Sequence, residues 1–260
     1  MSAPGPLRPV TFDDVVRAEW TKVRSIRSTT VTMLFTVMLV VGIGALICLA
    51  IANSRNASVT DPTSASLVML VLAQLVVGIF GVMTVTSEYA SGTIRPSLMA
   101  VPRRTTFYLA KLIVVGVVCL VVGEVVAFAA FGAGQAILNG HTASASLGQP
   151  GVLRAVVGAG LYLTVLGLLG VGFGLLVRVT AGGIAIVVSL VFIAPIILAF
   201  IPGHAGNELQ RYWPTEAGAQ VFRVQSDSSS MAPWPGFAVL VGFAAVVLVA
   251  AGIVLNRRDA

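Results

Sequence analysis

The sequence predicts an all-α integral membrane protein. Six transmembrane helices follow an N-terminal amphipathic interfacial helix, and both termini are cytoplasmic. Three observations predict this. First, 57% of the residues are hydrophobic and only 10% are charged, whereas soluble domains average about 25% charged. Second, there are six apolar runs, near 31–52, 66–86, 107–138, 152–177, 181–201 and 235–255. Each is at or near the ~20 residues that cross a ~30 Å hydrocarbon core. Third, the basic residues are unevenly placed. An even number of spans puts both termini on one side. That side collects Arg8, Arg17, Lys22, Arg24, Arg27, Arg95, Arg103, Arg104, Lys111, Arg178, Arg257 and Arg258, out of 16 basic residues in all. The other side has Arg55, Arg154, Arg211 and Arg223. The positive-inside rule then makes the termini cytoplasmic. The net charge of +6 suits anionic headgroups, at about 1 kcal/mol per residue near the surface, and is not gathered for nucleic acid. With 260 residues and short loops, 29–260 reads as one membrane domain.

Residues 1–10, with Pro4, Pro6 and Pro9, read as a disordered lead. Residues 11–28 read as the amphipathic helix. Thr11 is a candidate N-cap, and Asp13 and Asp14 complement the positive end of the helix dipole. Phe12, Val16, Trp20, Val23 and Ile26 recur at three- and four-residue steps and form an apolar stripe. Arg17, Lys22, Arg24 and Arg27 fall largely off it, and Trp20 suits the headgroup level. No small-residue cleavage site follows a short apolar region, so the first span is expected to stay as an anchor.

Asn53 to Thr63 forms a polar loop after span 1. It contains the sequon-like Asn56-Ala57-Ser58, a pattern common by chance. Cys48 and Cys119 lie inside apolar runs and read as buried small hydrophobes. Gln74 in span 2 is expected to face other helices and hydrogen-bond there.

The segment Ser87 to Arg104, SEYASGTIRPSLMAVPRR, interrupts the apolar chain with charge, Gly and two prolines. Gly92 can take φ > 0 and end the preceding turn. Pro96 suits the first position of a short helix, and Pro102 stops it. The loop reads as a compact, stiff knob, or more simply as a solvated hairpin. Span 3 is too long for a perpendicular crossing, so it should tilt or extend into the cytoplasm near Lys111. Glu124 lies near its middle, where an ionised side chain costs roughly 3 kcal/mol and should face protein or a wet cavity. Three readings of Glu124 stand: a bond to a polar partner such as Gln74 or Gln135, a place in a substrate path, or a proton relay. Gln74, Glu124 and Gln135 together are the candidate intramembrane polar site.

After an external loop, Asn139 to Gly151, span 4 carries Gly160, Thr164, Gly167 and Gly174 at helical spacing, with a GxxxG from Gly170 to Gly174. Such small-residue stripes serve close helix packing, within the bundle or across a dimer. The short connection Val179 to Gly183 makes spans 4 and 5 a tight hairpin, and Pro195 predicts a kink or break in span 5. Ile201 to Pro235 is the longest external stretch. Its Tyr212, Trp213 and Trp234 are candidate markers of the outer interface.

The order Glu88, Gly92-Thr93, then Pro102-Arg103-Arg104 before a new apolar run resembles the cytoplasmic loop between spans 2 and 3 of ABC-2 type transporter permeases. Residues 17–29, RAEWTKVRSIRST, resemble the N-terminal connecting helix of the actinobacterial-type members. The resemblance extends over nearly the whole chain and implies a half-transporter. Two such chains, identical or related, form a pathway in the plasma membrane. A separate P-loop ATPase, which holds ATP and Mg, docks beneath, and export is the implied direction. The ATPase-coupling loop would comprise Glu88, Gly92, Thr93, Arg95, Pro102, Arg103 and Arg104, beside an interfacial helix bearing Arg17, Trp20, Lys22, Arg24 and Arg27. The resemblance also implies short re-entrant or external helices before span 6, with Ile196 to Ile201 and Ala217 to Val224 as candidates.

The sequence has no G-x-x-x-x-G-K-[ST], so it lacks a P-loop of its own. It has no His/Cys cluster for zinc or haem, and no nucleophile with a His or paired Asp at membrane depth. It therefore reads as a non-enzyme with no cofactor of its own. The rival readings are a membrane scaffold or immunity protein without an ATPase, and a secondary transporter. The latter tends to show internal repeats and several midplane charges.

Overall fold

The computed structural model describes residues 10–25, 27–54, 61–101, 103–140, 144–225 and 230–257, with only the backbone of 27–30. Residues 1–9 of the lead, Ile26, the Asn56-Ala57-Ser58 sequon, Pro102, Arg258 and the side chain of Arg27 lie outside the described residues. Among the described residues the protein is all-helical, with no strand.

Helix α1 spans Phe12–Ser25. Its start is a reciprocal cap. The Thr11 N–H donates to Asp14 Oδ2 at 3.0 Å and the Asp14 N–H to Thr11 Oγ1 at 3.4 Å, so two backbone donors at the helix end are satisfied. Helix α2, Arg27–Ala52, starts almost at once. Arg27 therefore belongs to the first turn of α2 and not to α1, because the apolar run propagates its helix backward past Val31.

The second apolar run does not form one helix. Helix α3, Pro62–Leu67, is capped by Asp61, whose side chain accepts from the Thr63 and Ser64 N–H groups. After a break at Val68–Met69, helix α4 covers Leu70–Ala90. The shift is toward the C-terminus, so Glu88 sits in the last helical turn rather than in the loop. The short helix α5 is Ile94–Ala100. Pro96 is its third residue, still within the first turn, where a missing N–H leaves no bond unmade. Helix α6, Arg104–Leu138, has 35 residues. At 1.5 Å per residue it is about 52 Å long, well over the hydrocarbon thickness, so one end projects beyond it.

Helix α7, Val152–Val177, is the central element. It packs on α4, on α6, on helix α8 (Thr180–Val188) and on the last helix of the chain. Its glycine stripe makes this possible. A Cβ on Gly81 of α4 would collide with the carbonyl oxygen of Gly167, and one on Gly170 with that of Gly78. The two backbones therefore touch directly, and the stripe is used inside the bundle.

Span 5 is built from α8, a π-turn over Ser189–Ile193 and helix α9, Ala194–Ala199. In the π register the Ala194 N–H reaches the Ser189 carbonyl. The next donor in that register would be Pro195, which has no N–H. The Leu190 carbonyl that it leaves free accepts instead from Trp213 Nε1 at 2.9 Å and Thr215 Oγ1 at 3.3 Å. Pro195 thus gives neither a sharp break nor a free end, but a docking point for the segment between spans 5 and 6. That segment folds as helix α10, His204–Tyr212, helix α11, Pro214–Ala219, and a 3₁₀ turn, Gln220–Phe222. Ile196 to Ile201, a candidate external helix, is instead largely the end of span 5. Helix α12, Pro233–Arg257, completes the chain.

Six segments are long and apolar enough to cross a membrane: Val31–Ala52, Leu70–Ala90, Arg104–Leu138, Val152–Val177, Thr180–Ala199 and Pro233–Arg257. The fold is that of an all-α, multi-pass membrane protein.

Candidate functional site

One end of the bundle gathers α1, the end of α4, the whole of α5, the start of α6 and the end of α12. The Arg104 guanidinium donates to the Leu255 carbonyl at 3.0 Å, which fixes the last turn of α12 there. Gly92 turns the chain from α4 toward α5 at φ +71°, with its N–H on the Tyr89 carbonyl at 3.2 Å. A side chain would strain that left-handed backbone.

Four charged side chains meet beneath this turn. Lys111 of α6 is buried, and its ammonium lies 2.6 Å from Glu19 Oε2 and 2.9 Å from Glu88 Oε1. It also donates to the Thr84 carbonyl at 3.3 Å. Lys22, half-exposed, closes the ring: 2.6 Å to Glu19 Oε1, 3.1 Å to Glu88 Oε1 and 3.3 Å to Ser97 Oγ. The Phe107 ring lies 5.4 Å from the Lys22 ammonium and 5.2 Å from that of Lys111. Two cations and two anions make the cluster neutral, and most of its hydrogen-bonding capacity is used. Both conditions are required of charges taken out of water. Burial alone would lower the Lys22 pKa, but the bonds and charges of Glu19 and then Glu88 outweigh it and raise it above the ordinary 10.5. Of the cluster's four carboxylate oxygens, Glu88 Oε2 is the one buried without a partner among the described residues.

The cluster bolts α1, α4, α5 and α6 into one unit. It also shows how α1 lies. Val15 and Glu19 are its buried face, while Phe12 and Trp20 are each 45% exposed. Phe12 and Trp20 therefore face outward, as on an interfacial helix, while Val23 packs on the core and Val15 and Glu19 face protein. Arg17 points away and pairs with Asp13 at 2.8 Å. Arg24 is exposed.

Of the predicted loop residues, the structure brings Glu88 into the cluster and leaves Gly92, Thr93, Arg95 and Arg103 exposed at the tip, with Met99 78% exposed among them. Pro102 lies outside the described residues. Glu88 is buried and engaged by Lys111 and Lys22, because α4 runs one turn further than the apolar run suggests. Glu19 and Lys111 were missed as a pair. A signal existed: Glu19 follows Val15 by four residues and precedes Lys22 by three, so an acid and a base stand one helical turn apart beside Val15.

The three deep polar residues do not meet. Gln74 accepts from the Tyr162 hydroxyl at 3.0 Å. Gln135 lies near the far end of α6, donating to Ser66 Oγ at 2.9 Å and to the Pro62 carbonyl at 3.0 Å, and accepting from the Ala145 N–H at 2.6 Å. It fastens α3 and the 144–150 loop to α6. Glu124 bonds to neither. Its carboxyl lies over Gly160 of α7, in the space a Cβ there would occupy. Its Oε2 has no partner among the described residues.

A family model described as ABC-2 family transporter protein matches residues 15–206. The chain belongs to the ABC-2 transporter family. No curated protein matches the sequence. The matched range begins in α1 and ends in α10, so it includes all four residues of the charged cluster and the turn at Gly92. Members of this family are permeases of ABC transporters, membrane components that do not hydrolyse ATP themselves, and a separate ATPase subunit is implied in general.

Proposed function

We propose that this permease is half of an ATP-driven exporter in the plasma membrane, with both termini cytoplasmic. A separate P-loop ATPase, holding ATP and Mg, docks on the exposed tip formed by Ser91 to Thr93, Arg95, Met99 and Arg103. A second permease chain, identical or related, completes the pathway. Family membership and the basic bias of one side support this reading. The observation that carries it is the buried ring of Glu19, Lys111, Glu88 and Lys22 directly behind that tip. A solvated connector would not need a buried ion-pair network. A lever does, because a push on α5 must reach α1, α4 and α6 without being absorbed by bending.

The two parts have separable roles. Tip residues bind the ATPase, and the cluster is a positioning device that passes its motion on. Purification of the tagged chain from its native membranes should bring a P-loop ATPase with it. Met99→Asp should release that partner while the six spans still insert. A wild-type chain that carries no such protein would refute the reading.

A further inference from the structure

The segment between spans 5 and 6 is fastened to three of the spans. Arg154 of α7 donates to the Val221 carbonyl at 2.8 Å and to the Arg223 carbonyl at 3.0 Å. Helix α11 lies directly on α12, where a Cβ on Gly236 would collide with the Ala217 carbonyl oxygen. The attachment to span 5 is made by Trp213 Nε1 and Thr215 Oγ1 on the Leu190 carbonyl. That last attachment has a rival inside span 5 itself.

A carbonyl oxygen has two lone pairs, and Trp213 and Thr215 use both. In an ordinary α-helix the donor to the Leu190 carbonyl is the N–H four residues on, that of Ala194. In the π-turn this N–H reaches past Leu190 to the Ser189 carbonyl. The Leu190 carbonyl thus accepts either from its own helix or from the segment. Leu190 and Thr215 are buried, at 8% and 3% exposure, inside an apolar span, so water does not replace a lost donor. Lifting the segment leaves the carbonyl bare unless the turn closes and supplies the Ala194 N–H. Release and closure are therefore one step. Each register also carries its own defect. The π register depends on donors from outside the span. The α register sets the Pro195 ring against the Val191 carbonyl and bends the helix there. Two arrangements with comparable defects are the basis of a switch.

We propose that span 5 is a two-register latch with the Leu190 carbonyl as its catch. The π register holds Trp213 and Thr215 down. The α register releases them and turns α9 by about 100°. Val191 and Thr215 stand in the wall of a cavity of about 330 Å³ that Leu70 and Gln74 of α4 also line, so the latch changes the shape of that cavity. Its use as a gate rests on the permease reading; the two registers do not.

The test therefore uses this chain alone, in lipid nanodiscs and without any ATPase. Spin labels on Leu153→Cys of α7 and Ile197→Cys of α9, both exposed, report the distance across the latch by double electron–electron resonance. Cys48 and Cys119 are fully buried and stay unlabelled. The chain with an intact latch should give one main distance. Trp213→Phe with Thr215→Val removes both donors and should shift that distance by at least about 5 Å, the scale of a 100° turn of the helix. Pro195→Ala leaves the donors in place but removes the ring and adds an N–H for the Val191 carbonyl. It should give the same new distance. A packing defect at either site would not bring two unlike changes to one value. An unchanged distance in either folded variant, or a different new distance in each, overturns the latch. If one variant fails to fold, the other decides: a shift of that size supports the latch and an unchanged distance overturns it.

Discussion

Replacing Lys111 by methionine tests the charged cluster most severely. The ammonium is buried and lies 2.6 Å from Glu19 and 2.9 Å from Glu88. Methionine keeps the length and the contact with Phe107 but removes the charge. Glu19 and Glu88 are then left as two buried carboxylates sharing only Lys22, which is half in solvent. Breaking a buried pair by removing one partner costs about 3–5 kcal/mol. Lys22 can still answer one carboxylate, so the lower part of that range, about 3 kcal/mol, is expected here. The assay is thermal unfolding of the purified chain in detergent, with proteolysis of α1 as the local readout. Lys111→Met should unfold at clearly lower temperature and release α1 to protease first. Adding Glu19→Gln should restore part of the loss, since it removes one of the stranded charges, and the double variant should be more stable than the sum of the singles. If Lys111→Met costs under about 0.5 kcal/mol, the scale of an ordinary surface change, or if the two substitutions simply add, the cluster does not hold the helices together.

Other consequences follow from the same structure. Gly81→Leu should abolish accumulation of the folded protein, because the first added carbon already collides with the Gly167 carbonyl; overpacking usually costs about 1–3 kcal/mol and backbone contact leaves no side chain to move. Fluorescence-detected gel filtration reads the loss. The Lys22 pKa is raised on folding, so its contribution is fully present below the ordinary lysine range and fades as pH rises through the raised value; protease release of α1 should therefore begin only above about pH 10.5, and release near neutral pH would contradict the assignment. Reporter fusions at Ala260 and at Gly148 should report opposite sides of the membrane, with the C-terminus inside.

Much of the fold was legible because membrane spans are a length-and-hydropathy problem, which long apolar runs such as 152–177 answer almost residue for residue. The glycines of α7 were also legible as a packing stripe. What the sequence concealed lies where short-range rules compete. The division of the second run into α3 and α4 turns on Asp61 as a cap, and it moves Glu88 by a turn. The π-turn before Pro195 follows from a missing N–H, but the docking of Trp213 and Thr215 on the freed Leu190 carbonyl is a long-range contact that no local pattern announces. The candidate site was half legible. Glu88, Gly92 and the arginines could be read from their spacing, whereas Glu19 and Lys111 are 92 residues apart and become a pair only when α6 projects beyond the bilayer to meet α1.

The central claim is that the tip binds the ATPase while the cluster behind it transmits the motion. The direct measurement is hydrogen exchange over residues 204–222, at the opposite end of the bundle, in the complex of this chain with its ATPase, with and without ATP. Wild-type complex should show nucleotide-dependent exchange there. Glu88→Ala should keep the ATPase bound and lose that dependence, since the bonds from Lys111 and Lys22 are gone while the tip is intact. A Glu88→Ala complex whose far end still responds to ATP, or one that sheds its ATPase as Met99→Asp does, would contradict the account.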